Sequence, residues 1–340
     1  MTLLIPTYRR PEDLLRCFHS LAKQTRYADE IIFVVRDTDD ETQTMLKSAF
    51  SAFHSTYISP TVWGISSEVG YLLKVVTVSE SGQVAALNAG LAAATGDIIS
   101  ITDDDAVPHP EWLARIEAHF LENPKVGGVG GRDWLYFGDD LQDGQKETVG
   151  RLGWFGSRRG NHHLGYGQVR SVEILKGANM SFRRTAIANL KFDERLRGTG
   201  AQVHNDLAFS LAIKKAGWTL LYDPDVSIDH LTAPRFDEDQ RDTFNHTAFT
   251  NAVHNETLAV LEYLPPANQL IFGLWFLLVG NRQAFGLVQL LRFLPSEGQQ
   301  AWQKWQLSMS GRWQGLQTWA EQYRQPPAKP MGHQPMVSYP

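Results

Sequence analysis

The chain has 340 residues, of which 43% are hydrophobic and 20% are charged; this balance is typical of a globular protein and excludes a disordered or fibrous chain. The formal net charge of −5 provides no broad basic field, so a nucleic-acid partner is not expected. The single cysteine, Cys17, excludes an intramolecular disulfide framework and fits a reducing compartment.

Apolar segments and amphipathic segments alternate through the first 125 residues. The apolar ones are predicted as strands at residues 2–6, 30–35, 72–78 and 98–102. Helical patterns follow at residues 11–21, 41–49, 83–94 and 111–121. Residues 50–70 are rich in Ser, Thr and Gly, and are expected to form a loop or a variable insertion. The alternation predicts an α/β fold with a doubly wound, mostly parallel sheet.

The pattern changes after residue 125. A glycine-rich strand is predicted at residues 126–134, and residues 138–167 are loop-like. Further short strands are predicted at residues 169–175, 218–222 and 226–230, with helices at 184–190 and 207–216. Beyond residue 234 the chain is predicted to be helical, and residues 326–340 form a Pro-rich, polar tail that is expected to be disordered.

Three adjacent acids, Asp103, Asp104 and Asp105, follow the strand at residues 98–102. Ligands bind at the carboxyl ends of strands in open α/β sheets, and clustered carboxylates repel one another unless a cation is present. Oxygen ligands of this kind suit Mg²⁺ or Mn²⁺. The alternative is a solvated acidic turn in which Asp105 caps the helix that begins near Pro110.

The longest dense apolar segment, residues 270–279, is shorter than the roughly 20 residues that span a membrane. Its leucines and aromatic residues precede Arg282 and Arg292, which is compatible with an amphipathic segment at a membrane surface. Packing against the main domain or a dimer interface is the alternative. The first residues predict a strand and not a secretory signal, so we expect a cytoplasmic location, free or peripheral on the inner face of the cell membrane.

Several short motifs occur in a fixed order at the predicted strand ends and helix starts. They lie at residues 5–10, 37–39, 83–90, 102–105, 177–180, 205–207 and 230. Together they resemble family 2 glycosyltransferases of the GT-A fold, over roughly residues 1–235. The resemblance implies a Rossmann-like catalytic domain with a nucleotide-binding half at about 1–108 and an acceptor half at about 109–235. Residues 236–325 then form a C-terminal helical appendage.

The resemblance also implies a nucleotide-diphosphate sugar donor, with UDP as the commonest nucleotide and dTDP and GDP as alternatives, and inversion at the anomeric carbon. The residues expected to contact the donor are Pro6, Thr7, Tyr8, Arg10, Asp37, Asp39, Gln83, Asn88, Asp103, Asp104 and Asn179. A divalent cation, Mg²⁺ or Mn²⁺, is expected to bind Asp103, Asp105 and His230. The acceptor is expected to be a glycan or lipid-linked sugar of a cell-surface polysaccharide or glycolipid.

Taken alone, Asp206 is better explained as a first-turn acid that favours the helix dipole. Together with the preceding motifs, it matches the aspartate that serves as general base in the resembled family. Two positions depart from the family pattern. Asn205 stands where a glutamate is common, and Gln83 stands where a lysine is common. The missing carboxylate keeps a catalytically impaired sugar-nucleotide-binding protein open as an alternative. A nucleotidyltransferase is disfavoured, because no glycine-rich phosphate loop with basic residues lies near the start.

Overall fold

A computed structural model describes the backbone of residues 1–49, 54–59, 62–66, 72–240 and 243–324. Its strands, in chain order, are β1 (Thr2–Thr7), β2 (Glu30–Arg36), β3 (His54–Ser59), β4 (Val62–Ser66), β5 (Leu72–Val78), β6 (Ile98–Thr102), β7 (Ala106–Pro108), β8 (Val126–Phe137), β9 (Asp140–Leu141), β10 (Arg151–Leu152), β11 (Arg158–Arg159), β12 (Arg170–Val172), β13 (Asn179–Arg183), β14 (Thr219–Leu231), β15 (Gly280–Asn281) and β16 (Ala284–Phe285). Its helices are α1 (Pro11–Leu21), α2 (Asp40–Ala49), α3 (Gln83–Ala93), α4 (Trp112–Glu122), α5 (Arg184–Ile187), α6 (Asn205–Lys215), α7 (His246–Tyr263), α8 (Pro266–Leu278), α9 (Leu287–Glu297) and α10 (Gln299–Arg324). The expected disordered tail at residues 326–340 lies outside the described residues.

The central sheet has the order β12-β14-β8-β13-β6-β1-β2-β5-β4-β3 within the described residues, with β7 and β9 paired at its margin. Strands β5, β2, β1 and β6 are parallel at its centre. Their apolar, largely β-branched sequences are buried on both faces, as parallel strands covered by helices require. The predicted α/β fold, with parallel strands at the centre of its sheet, is therefore confirmed. The parallel centre carries the carboxyl ends of four strands to one edge of the sheet.

The prediction of a loop at residues 50–70 is wrong for the part of this segment that the structure describes. Strands β3 and β4 form an antiparallel hairpin there, and β4 pairs with the outer edge of β5, for example Val62 opposite Val76. The Ser, Thr and Gly residues of this segment gave a loop-like composition. The backbone nevertheless pairs because β5 presents an open row of donors and acceptors that a hairpin can satisfy.

Two further predictions need correction. The two strands predicted at residues 218–222 and 226–230 are one strand, β14 (Thr219–Leu231), whose register shifts between Asp223 and Ile228. Pro224 lies inside this irregular stretch, and proline cannot donate a ladder hydrogen bond, so the local pattern resembled a strand end. Helix α5 also stops at Ile187, short of the predicted end at residue 190.

The hydrophobic core forms two layers, one on each face of the sheet. One layer contains Leu14 of α1 and Trp112 of α4. The other contains Leu87 of α3 together with Phe272 and Phe276 of α8. One side of the C-terminal apolar segment therefore packs on the main domain. None of the helices in the described part of the chain is both long and apolar enough to cross a bilayer.

Candidate active site

A cleft with a cavity volume of about 180 Å³, open to solvent, lies at the carboxyl ends of the parallel strands. Its walls combine strand ends with two later segments. The residues that line it are Pro6, Thr7, Tyr8, Arg10, Val34, Arg36, Val78, Glu80, Gly82, Gln83, Ala86, Asp103, Asp104, Asp105, Thr199, Gly200, Ala201, Arg235, Phe236 and Asp237. Seven of the residues predicted to contact the donor, Pro6, Thr7, Tyr8, Arg10, Gln83, Asp103 and Asp104, are thus brought together here.

The three predicted metal ligands lie next to one another. Atoms of Asp103, Asp105 and His230 that can bind a metal all fall within 4.8 Å. The antiparallel pairing of β7 with β14 places His230 opposite Ala106, directly after Asp105. A contact between residues 125 positions apart in the chain is therefore made by the sheet itself.

The buried atoms of this cluster fit a cation. The Oδ1 atom of Asp105 and both ring nitrogens of His230 are buried and have no hydrogen-bond partner, although Oδ1 and Nε2 are 3.3 Å apart. Unpartnered buried polar atoms are costly, and a shared metal ion removes that cost. Two carboxylates and an imidazole form a donor set that suits a divalent transition metal.

The alternative of a capped acidic turn is wrong. Helix α4 begins at Trp112 with Glu111 as its N-cap and without a capping side-chain hydrogen bond. The Oδ2 atom of Asp105 instead accepts a hydrogen bond from the backbone N–H of Ala233 at 3.1 Å. Burial would raise the pKa of Asp105, but His230, Arg10 and this N–H outweigh burial and hold it below the usual range.

The remaining acid of the triplet, Asp104, is neutralised by the protein. Its Oδ1 accepts a hydrogen bond of 2.9 Å from Arg10 Nη1, and Arg10 also donates to the carbonyl of Pro234 through Nη2 at 2.7 Å. Burial raises the pKa of Asp104 to about 7, even though Arg10 opposes the rise. Burial and the charge of Asp105 also raise the pKa of Asp103. Within the triplet, Asp104 therefore lies closest to Arg10, at 2.9 Å against 3.5 Å for Asp105, while Asp103 and Asp105 lie beside His230.

The two positions that depart from the family pattern contact each other. Gln83 Oε1 accepts a hydrogen bond from Asn205 Nδ2 at 3.1 Å, and Gln83 Nε2 donates to Asp103 Oδ1 at 3.3 Å. Asn205 is buried, and its Nδ2 also donates to the carbonyls of Ala201 and Gln202. A neutral amide pair thus links the start of α6 to the acidic triplet.

Asp206 lies in the first turn of α6 and is half-buried. Its Oδ2 accepts a hydrogen bond from the N–H of Gly177 at 3.3 Å, and its Oδ1 accepts one from the N–H of Leu207 at 2.7 Å. It is not among the residues that line the cleft. Its role as general base stays a prediction.

The side chains of Asn88 and Asn179 were predicted to contact the sugar donor, but both are hydrogen-bonded to other parts of the protein. The Asn88 amide donates to the carbonyl of Phe192 at 3.0 Å and accepts from its N–H at 2.8 Å. Asn179 is buried, accepts from Trp112 Nε1 at 2.9 Å and donates to the carbonyl of Val226 at 2.8 Å. Neither side chain lines the cleft, and both hold neighbouring segments together.

Asp37 and Asp39 also lie outside the lining of the cleft. Asp39 is buried, and its carboxylate accepts from the N–H of Arg9 at 2.6 Å and from the N–H of Thr42 at 3.2 Å. It therefore anchors the start of α2. Asp37 is exposed beside Arg36, which does line the cleft. A contact of either acid with a nucleobase stays a prediction.

Sequence reasoning missed a buried ion pair beside the triplet. Lys176 Nζ lies 2.6 Å from Oδ2 of Asp133, whose side chain is fully buried. The charge of Asp133 contributes to the raised pKa of Asp103, so the two carboxylates are close in space. The available signal was an acid inside the glycine-rich apolar strand β8, a position that rarely tolerates one without a partner.

Sequence reasoning also missed the far wall of the cleft, where two loops are joined by hydrogen bonds. Asp237 Oδ2 accepts from the N–H of Ala201 at 2.8 Å, and Glu238 Oε1 accepts from the N–H of Thr199 at 3.0 Å. The Phe236 ring makes an edge-to-face contact with Tyr8, at a centroid distance of 6.4 Å. No sequence motif marks these residues, because their partners lie in remote loops.

Comparisons with known proteins agree with this geometry. Residues 2–190 match the family model of glycosyl transferase family 2. The glycosyltransferase AglE of Haloferax volcanii is 23% identical over 117 residues, which cover 34% of this chain and 33% of that relative. The matched segment therefore spans about a third of that relative's length.

Two solved structures share the fold. The mannosyltransferase PcManGT from Pyrobaculum calidifontis, in complex with GDP-Man and Mn²⁺, aligns with a TM-score of 0.52 at 16% identity, over 93% of this chain and 86% of that one. GalNAc-T7 with UDP, GalNAc and Mn²⁺ aligns with a TM-score of 0.56 at 14% identity, over 76% and 47%. The family match covers more than half of the chain and places it among glycosyltransferases. This protein belongs to glycosyl transferase family 2.

Proposed function

We propose that the protein is an inverting, metal-dependent hexosyl or related transferase. Its donor is a nucleotide-diphosphate sugar, with UDP as the nucleotide, and its acceptor is a hydroxyl group of a glycan or lipid-linked sugar. The reaction belongs to the synthesis of cell-surface polysaccharide or glycolipid. The protein acts in the cytoplasm or at the inner face of the cell membrane.

One observation carries the proposal. Asp103, Asp105 and His230 lie next to one another, and Oδ1 of Asp105 and both ring nitrogens of His230 are buried without a hydrogen-bond partner. A cation at these residues would face the space in which a diphosphate fits. The two solved structures of this fold contain Mn²⁺ together with GDP-Man in one case and with UDP in the other. Those contents support Mn²⁺ or Mg²⁺ as the cofactor of this chain.

The chemistry follows from the charges. When bound, a divalent cation stabilises the negative charge that develops on a departing nucleoside diphosphate. Asp103 and Asp105 would hold it through carboxylate oxygens, and His230 through a ring nitrogen. Gln83 donates to Asp103 and keeps that carboxylate oriented. Arg10 lies 2.9 Å from Asp104 and 3.5 Å from Asp105, so its charge offsets part of the negative charge of the triplet.

Asp206 would accept the proton of the attacking acceptor hydroxyl. A carboxylate in this role typically accelerates transfer by about 10²–10⁴-fold. The N–H of Gly177 holds one of its oxygens, which fixes the carboxylate while leaving it half-exposed. Direct displacement with one base inverts the anomeric carbon, which is why the proposal specifies inversion.

A second candidate function is sugar-nucleotide binding without transfer. The observation that favours it is Asn205, which stands where the resembled family commonly has a carboxylate. The buried contact of Asn205 with Gln83 shows a structural reason for the amide, so the residue need not mark a lost activity.

A donor screen tests both functions. The full chain is incubated with UDP-, GDP- and dTDP-sugars in Mn²⁺, Mg²⁺ or EDTA, and both donor binding and release of the nucleoside diphosphate are measured. We expect metal-dependent turnover of one donor class. Asp105→Ala should lose metal-dependent donor binding, whereas Asp206→Asn should keep binding and lose turnover by at least about 10²-fold.

Asp139→Asn is the matched control, because this acid is exposed and lies outside the cleft. Its binding and turnover should equal those of the wild type. If the wild type binds a donor but does not turn it over, the protein is a sugar-nucleotide-binding protein and not a transferase. Equal turnover in Mn²⁺ and in EDTA would refute the metal-dependent mechanism.

A further inference from the structure

Helix α8 is apolar on its buried side and on its exposed side. Four of its leucines are exposed and recur at helical spacing, namely Leu270, Leu274, Leu277 and Leu278. On the other side, Phe272 and Phe276 are buried in the core. A helix that is apolar all round is normally buried on all sides, yet Leu270 is 69% exposed. The exposed side of α8 therefore favours contact with an apolar partner over contact with water.

Helix α9 repeats this arrangement. Its exposed apolar residues are Leu287, Val288, Leu291 and Leu294, while Leu290 is buried. The hairpin of β15 and β16 joins α9 to α8. We call the exposed apolar residues of α8 and α9 the leucine face. Single exposed leucines are ordinary on a protein surface, but two consecutive helices that expose apolar stripes are not.

The charge of this segment has one sign. Residues 263–296 contain no Asp or Glu and carry two arginines, Arg282 and Arg292. Both arginines are exposed, and both guanidinium groups lie 5.3 Å from the centre of the Phe293 ring. Two cations are thus held near one aromatic ring of α9, in a segment without acidic residues.

A loop of the catalytic region extends the same surface. The ring of Phe155 packs 5.2 Å from that of Trp275 in α8, and Arg158 donates to Gln283 at 3.1 Å. The neighbouring Trp154 is 62% exposed. Tryptophan is enriched at membrane–water interfaces, where its ring is apolar and its N–H is solvated.

We infer that the leucine face binds the surface of a bilayer that contains anionic lipids. Helices of 13 and 11 residues are about 20 and 17 Å long, too short for a hydrocarbon core of about 30 Å, so they lie in the interface. In a two-fold dimer through this face, residues 263–296 of the second copy would offer the arginines no acidic partner, whereas anionic head groups attract them. This binding does not depend on the proposed transfer reaction.

Flotation of the full chain with vesicles tests the inference. The vesicles contain phosphatidylcholine alone or phosphatidylcholine with phosphatidylglycerol, at low and at high salt. We expect binding to the anionic vesicles that weakens with salt. Leu274→Gln with Leu291→Gln should lower the partition coefficient roughly 25-fold, about fivefold for each half-exposed leucine. Leu121→Gln is the matched control, since this leucine of α4 is 77% exposed outside the leucine face.

The arginines are tested separately. Arg282→Gln with Arg292→Gln should weaken binding to anionic vesicles roughly 25-fold, since each basic residue near the surface contributes about fivefold. Arg16→Gln, on the exposed side of α1, should have no effect. Unchanged melting temperatures establish that all these surface variants are folded.

Three results would overturn the inference. They are no vesicle binding by the wild type, equal binding to neutral and anionic vesicles, and leucine variants that bind as the wild type does. If the wild type does not bind vesicles but is a dimer in solution, and the leucine variants are monomers, the leucine face is instead a dimer interface. Vesicle binding without sugar transfer would leave this inference in place and refute the proposed function alone.

Discussion

Replacing Asn205 by aspartate tests two explanations of this residue. Either the position has lost a catalytic acid, or the amide is there for a structural reason. Asn205 Nδ2 donates to three oxygens, Gln83 Oε1 and the carbonyls of Ala201 and Gln202, at 3.0–3.2 Å. Aspartate has the same size but, when ionised, has no donor. In Asn205→Asp a buried carboxylate would therefore face three acceptors.

The magnitude follows from these contacts. Three neutral hydrogen bonds of about 1 kcal/mol each are lost if the carboxylate stays charged. Protonating a carboxyl group of ordinary pKa, about 3.9, costs about 4 kcal/mol at pH 7. The positive end of the α6 helix dipole stabilises a charged carboxylate at this position by at most about 1 kcal/mol. We therefore expect the variant to be less stable than the wild type by about 3 kcal/mol at pH 7.

The pH dependence has a definite sign. The folded state raises the pKa of the introduced carboxyl group above its unfolded value, because burial and the three oxygens oppose its charge. The variant is therefore less stable than the wild type above the pKa that this carboxyl group has in the unfolded chain, and the difference disappears as the pH falls. Between pH 7 and pH 5.5 the deficit should shrink by up to about 1.4 kcal/mol per pH unit.

Urea unfolding at the two pH values measures the deficit. Asn268→Asp is the control, since it makes the same change in the first turn of α8. Adding Gln83→Lys to Asn205→Asp should recover most of the loss, because the ammonium group can pair with the new carboxylate. If Asn205→Asp alone is as stable as the wild type and transfers sugar faster, Asn205 is a lost catalytic acid and this reasoning is wrong.

Three further predictions concern contacts that the structure assigns to stability. Arg10→Ala leaves Asp104 buried without its cation and should lower the free energy of unfolding by about 3 kcal/mol; an unchanged urea midpoint would contradict this. Trp112→Phe removes the donor to Asn179 and should cost about 1–3 kcal/mol in stability, while a selective loss of donor affinity would instead support a sugar contact by Asn179. Asn88→Ala should lower the melting temperature by several degrees without changing donor affinity, and the reverse pattern would restore its predicted role near the ribose.

The sequence predicted the features that depend on local pattern. The strands at residues 2–6, 30–35, 72–78 and 98–102 were recognisable because buried parallel strands are continuously apolar. The acidic triplet was recognisable because charged residues directly after such a strand lie at the sheet edge. His230 was reached only through the family resemblance, and the pairing of β7 with β14 accounts for its place beside Asp105.

Other features could not be read from local pattern. The hairpin of β3 and β4 has a loop-like composition, and it forms because β5 offers an open edge. Of the leucine face, the sequence indicated only the part at residues 270–279, as an apolar segment compatible with a membrane surface. Which of its side chains are covered was decided by the packing of Phe272 and Phe276 on the main domain.

The sequence by itself thus determined the fold class, the strands and helices of the parallel centre, and the acidic triplet at its edge. Only the tertiary structure decided that Asp104 pairs with Arg10, that Asn179 is held by Trp112, and that Gln83 meets Asn205. The physical reason is distance along the chain. Hydrophobic periodicity arises within a few residues, whereas these hydrogen bonds join residues that are 67 to 122 positions apart and become neighbours only when the sheet is assembled.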